Sequence, residues 1–84
     1  MNKGELVSEL GKRFHDIAQV YSLGPYKIEI DVSTNVEKSE WQERLKGLDL
    51  VDNSKHINDS YKYNNIVIQL FRGNISRFRS KNGL

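Results

Sequence analysis

The chain has no cysteine, which excludes a disulfide scaffold, a thiolate metal site and a cysteine nucleophile. It has no apolar run longer than Ile66-Val67-Ile68, far short of the roughly 20 residues a membrane span needs. Glu5 and Glu9 stand where a secretory signal needs an apolar stretch, so the expected location is cytoplasmic, with no membrane partner. A strong charge of either sign is also missing: 13 Lys and Arg against 11 Asp and Glu leave +2 over 84 residues. That balance fits neither a polyanion nor a basic tail.

Metal and catalytic signatures are sparse. His15 and His56 are the two histidines, far apart in sequence, so no zinc site and no cofactor is expected. Phosphate-cradling glycine loops, nucleophile elbows and paired-histidine helix motifs do not occur. Glu29 and Asp31 alternate along one segment, as the exposed side of a strand does. A small endoribonuclease could draw on His56, Tyr61, Arg77 and Arg79, but their spacing does not require it, and a non-enzymatic protein is expected.

What is present is enough apolar material for one core. Leu, Ile, Val and Phe make 24 of the 84 residues, well above the roughly one-fifth below which disorder is the default. A core of this size rarely supplies more than about 3–5 kcal/mol. Partner binding or a homodimer is therefore an expected source of further stability. Asn, Lys and Ile make 23 residues, the bias of AT-rich coding found in bacterial, phage and plasmid sources.

Periodicity divides the chain into elements. Leu6, Val7, Leu10, Phe14, Ile17, Ala18 and Tyr21 fall on one helical face, with Asn2 as cap and Gly24-Pro25 as stop. This predicts an amphipathic helix over roughly 3–22, supported by a Glu9–Arg13 pair and by Lys12 facing Asp16. Gly4, Gly11 and Ala18 lie seven apart on one flank, and Gly11 suggests a close contact there. Residues 26–32 alternate strictly, as in a strand with one solvated face. Ser39-Glu40-Trp41-Gln42 reads as a capping box opening a short helix that carries Trp41, Leu45 and Leu48 and ends near Gly47. Residues 52–60 read as a mobile polar loop.

In the last third, Asn64-Asn65 joins 61–63 to 66–72 as a hairpin, and Gly73-Asn74 is a second turn leading to residues 75–80, strand or short helix. The whole is expected to be a single α+β domain over 1–84. A long N-terminal amphipathic helix packs on a three- or four-stranded, mainly antiparallel sheet, with one short inserted helix.

The charge is unevenly spread. Residues 1–60 hold every acid and net −3, whereas residues 61–84 hold Lys62, Arg72, Arg77, Arg79 and Lys81 and no acid. Arginines interleaved with Phe71 and Phe78 are what phosphate contact with base stacking requires, and the same guanidinium forks grip carboxylates. Tyr61, Tyr63, Ile66, Ile68 and Leu70 would share the core face of the hairpin. Lys62, Val67, Gln69, Phe71, Ser76 and Phe78 would share the reverse face. Such a face is similar in chemistry to RNA-recognition sheets, although their glycine-aromatic motif is missing here. The competing arrangement has the Trp41 helix cover that face.

The sequence therefore suggests a small binding or regulatory protein acting on nucleic acid, or on an acidic or nucleic-acid-binding protein surface. Its candidate contact residues are Lys62, Phe71, Arg72, Arg77, Phe78, Arg79 and Lys81. The alternative is a phage- or plasmid-encoded inhibitor of a host protein, anti-CRISPR-like in action. A toxin-type endoribonuclease is third.

Overall fold

The computed structural model describes residues 1–73, and the expectations for 74–84 lie outside the described residues. Asn2 opens α1 (Lys3–Arg13): its side chain accepts the Glu5 N–H at 2.8 Å, and Glu5 accepts the Asn2 N–H at 2.9 Å. This reciprocal pair satisfies two donors that a helix start otherwise leaves open. Leu6 and Leu10 face inward, and Phe14 closes the helix with its N–H on the Leu10 carbonyl.

The helix is 11 residues long and not the 20 that periodicity suggested. Beyond Phe14 the chain turns and runs as β1 (Ala18–Leu23), then β2 (Lys27–Val32), so Gly24-Pro25 is a hairpin turn and not a helix stop. Ala18-Gln19-Val20-Tyr21 satisfies a period of two as well as one of 3.6. The β-branched and aromatic residues there favour the strand. Asp16 accordingly pairs with Arg44 and not with Lys12.

α2 (Lys38–Leu45) follows. Its N-cap is Glu37, without a side-chain cap bond, so the Ser39 capping box does not form. Gly47, at φ +86°, takes the left-handed position just past the helix. Then come β3 (Val51–Asp52), β4 (Ser60–Tyr63) and β5 (Ile66–Arg72). The five strands lie in the order β1-β2-β5-β4-β3. Every pairing is antiparallel except β2–β5, which is parallel and centres the sheet. The fold is α+β with a mixed five-stranded sheet, larger than the expected three or four strands because residues 18–23 and 51–52 both join it.

Both helices cover one face. Leu6, Leu10 and Phe14 of the first segment meet Ile28, Ile30, Val32, Ile66, Ile68 and Leu70 of the sheet, and Trp41 and Leu45 from α2 complete the same cluster. Tyr61 and Tyr63 pack against it, as hairpin alternation predicted. The Trp41 helix therefore lies beside α1 and does not cover the reverse face.

The polar loop expected over 52–60 is internally bonded. Asn53, nearly buried, donates through Nδ2 to Ser60 Oγ at 3.0 Å, and Ser60 Oγ donates to the Ile57 carbonyl at 2.7 Å. Asp52 accepts the Ser54 N–H at 2.8 Å. Such local side-chain bonds hold a short loop where it has no ladder.

Candidate functional site

The composition of the sheet face opposite the helices follows from the registers. Opposite residues share a side, so Tyr21, Glu29, Gln69 and Ser60 form one row, and Gln19, Asp31 and Phe71 the next. Lys27, Val67 and Lys62 form the row on the other side, with Val51 at its end. Lys62 is exposed there and Phe71 half-buried.

Arg72, the next residue along β5, falls on the opposite face. Its guanidinium carbon stands 5.5 Å from the centroid of the Trp41 ring, a cation–π contact at the rim of the helical layer. The structure thus brings Lys62 and Phe71 onto one surface and directs Arg72 to the other. Arg77, Phe78, Arg79 and Lys81 lie outside the described residues.

Sequence reasoning misjudged Glu29 and Asp31. They read as the solvated side of a strand, yet Glu29 is 2% exposed and Asp31 fully buried. Strict alternation reports which side of a strand a residue occupies. It carries no information on whether that side is covered, and β2 is interior to the sheet with a neighbour on each edge.

Of the four residues a ribonuclease could draw on, Arg77 and Arg79 lie outside the described residues. His56 sits in the β3–β4 loop with its N–H on the Asn53 carbonyl, whereas Tyr61 faces the helical layer. Burial, together with the nearby Asp52 charge, pushes the Tyr61 phenol above its ordinary range. His15 lies on the surface, its Nδ1 3.0 Å from the Lys12 carbonyl. Among the described residues no three His, Cys, Asp or Glu side chains cluster to hold a metal ion, and no helix is long and apolar enough to cross a membrane.

The principal electrostatic cluster of the described residues joins the two helices. Arg44 makes two bonds to Asp16, at 2.6 and 3.1 Å, and a third to Glu40 at 3.0 Å. The guanidinium beside Asp16 lowers its carboxyl to about 2, and the same pairing raises Arg44. Arg13 holds Glu9 at 2.8 Å and keeps that carboxyl below its usual range. These groups carry a structural load between α1 and α2.

The chain matches no family model, no curated protein and no solved structure among those compared.

Proposed function

We propose that this is a small non-enzymatic binding protein whose partner is nucleic acid, or a protein that handles nucleic acid, engaged through the basic C-terminal third. The observation that carries this reading is the charge partition: five cations and no acid in residues 61–84, against a net negative remainder. Lys62, exposed, and Phe71, half-buried, place a cation and a ring on the sheet face opposite the helices. Together these suit phosphate contact with stacking.

A second reading, inhibition of a host protein, is favoured by one feature. The arginines of residues 61–84 carry planar forks that grip carboxylates as well as phosphates, so an acidic protein surface suits the same cations.

Salt titration separates the two. A nucleic-acid binder loses affinity for a single-stranded oligonucleotide with a log–log slope of about −0.7 per phosphate contact. Changing Arg77 and Arg79 to Gln then flattens the slope by about 1.4 units. Absence of measurable affinity for RNA and DNA, with capture of a protein from lysate that survives nuclease and is lost in the same double variant, supports the inhibitor instead. Wild-type behaviour of the double variant in both assays rejects both.

A further inference from the structure

The two edges of the sheet are built differently. β3, at one edge, is two residues long and carries Asp52. β1, at the other, runs for six residues with no charge and no proline, and pairs with β2 in unbroken register. It lies within residues 17–26, the longest uncharged stretch of the chain. Edge strands are commonly short, charged, bulged or interrupted by proline, because their free backbone groups template the pairing of another strand. β1 has none of these protections.

The register fixes which backbone groups of β1 face outward. Ser33 donates its N–H to the Ile17 carbonyl, so these two residues form a hydrogen-bonded pair. Such pairs recur at every second residue of an antiparallel ladder, which turns Gln19, Tyr21 and Leu23 toward β2. Val20 and Ser22 therefore turn their N–H and C=O groups outward, and no strand among the described residues lies beyond them. Ala18, of the same parity, gives its N–H to the Phe14 carbonyl.

We propose that β1 pairs with β1 of a second copy of this chain, antiparallel about a two-fold axis through Tyr21. The two five-stranded sheets then become one continuous sheet. In this register Val20 of each copy lies opposite Ser22 of the other, and every outward N–H and C=O of both residues is bonded. An axis through Val20 would ask Ala18 for an N–H that the Phe14 carbonyl already holds. An axis through Ser22 would ask for the Gly24 carbonyl, which accepts from Lys3 Nζ.

A second copy suits the edge in charge and in shape. An uncharged strand paired with itself sets no like charges opposite each other, and a net charge of +2 imposes little repulsion between copies. Arg13, bonded to the Arg44 carbonyl, marks the flank of α1 that faces α2. α2 in turn lies toward β4, where Gln42, Leu45 and Tyr61 line one hollow. The other flank of α1, nearer β1, carries Gly4, Val7 and Gly11 at helical spacing, and a Cβ at Gly11 would meet nothing within 4 Å. That low flank leaves room for the α1 of a second copy across the axis.

This pairing does not rest on the nucleic-acid reading, and its test uses the full chain alone. Sedimentation and backbone amide exchange are followed over about a hundredfold range of concentration. The mass should rise from one chain to two, and the Val20 and Ser22 amides should gain protection in step with it. A chain that stays monomeric throughout overturns the pairing. So does a dimer in which those amides stay unprotected, or their protection in the monomer, which would put another segment of the same chain on the edge. Ser22→Lys adds the charge that guarded edges carry, and should be monomeric at concentrations where wild type is dimeric. The axis is tested by Tyr21→Cys, which supplies the chain's sole cysteine. Residues on the axis form a non-hydrogen-bonded pair with Cα atoms about 4.5 Å apart, within disulfide reach. Mild oxidation should link this variant into dimers faster than Lys55→Cys in the β3–β4 loop; equal rates overturn the axis.

Discussion

Arg13 and Arg44 close the ends of one another's helices. Arg44 Nη1 donates to the Arg13 carbonyl at 2.7 Å, and Arg13 Nη1 donates to the Arg44 carbonyl at 3.1 Å and also to that of Lys46. Carbonyls at a helix C-terminus lack intrahelical partners and carry the negative end of the dipole, so a cation there is doubly favourable. The exchange couples the two helices at the point where α1 stops, and it helps fix Asp16 in reach of Arg44.

The Asp16–Arg44 pair has a pH signature. Asp16 is lowered from 3.8 to about 2 in the folded chain. A carboxyl lowered on folding contributes stability above its unfolded pKa and loses it as pH falls through the folded one. The melting temperature of wild type should therefore exceed that of Asp16→Asn at pH 5, and the gap should narrow as pH falls from about 4 toward 2. A gap that is constant across this range contradicts the pairing.

The β4–β5 turn makes an asymmetric demand on its two asparagines. Asn64 has φ +53°, and Asn65 is not in the left-handed region, whereas the sequence suggested that both would be. A two-residue loop with positive φ at its first position alone favours glycine there. Asn64→Gly should be neutral or stabilising, and Asn64→Val should cost about 1–2 kcal/mol. Asn65→Val should cost less than Asn64→Val in the same denaturant titration.

One substitution should act with opposite signs at two glycines. Gly11, expected from its spacing to mark a close contact, has nothing within 4 Å of where a Cβ would stand. Gly11→Ala should stabilise α1 by about 0.5–1 kcal/mol. At Gly73 the φ is +74° and an added Cβ would lie 2.4 Å from Thr34 Cγ2. Gly73→Ala should cost at least the roughly 1–2 kcal/mol of the left-handed backbone. Thermal melts of the two variants check both signs.

Arg72 should separate stability from partner binding. It stands on Trp41, away from Lys62 and Phe71, so Arg72→Gln should lower stability by about 0.5–1 kcal/mol. Trp41 is the sole tryptophan, and its fluorescence should shift in that variant. Affinity for an oligonucleotide should fall less than in Lys62→Gln; an equal or larger fall would place Arg72 in the interface.

The sequence was most legible where one period stood alone. Tyr61, Tyr63, Ile66, Ile68 and Leu70 lie on the face that alternation assigned, and Leu6, Leu10 and Phe14 are buried as the helical stripe required. It misled where two periods overlapped: Ile17, Ala18 and Tyr21 continue the helical stripe and equally suit a strand. Tertiary pairing with β2 decides between them. β3 was missed because two residues carry no periodicity. The burial of Glu29 and Asp31 was not legible because it depends on what covers a sheet, and alternation is silent about covering. Of the candidate contact residues, pattern alone placed Lys62 and Phe71 together. It could not show that Arg72 reaches back to Trp41, 31 positions earlier in the chain.

The parallel seam between β2 and β5 also governs how the chain can assemble. The β1–β2 and β4–β5 hairpins join neighbours in sequence and close short loops, which form quickly. Lys27 must find Val67 across forty positions, and that closure gains nothing until α2 and the β3–β4 loop are spanned. Two preformed halves docking along one central line make the slow step a meeting of hairpins. Substitutions at Ile28, Ile30, Ile68 and Leu70, where the halves meet, should weigh on the folding rate more than equal losses of stability in α1.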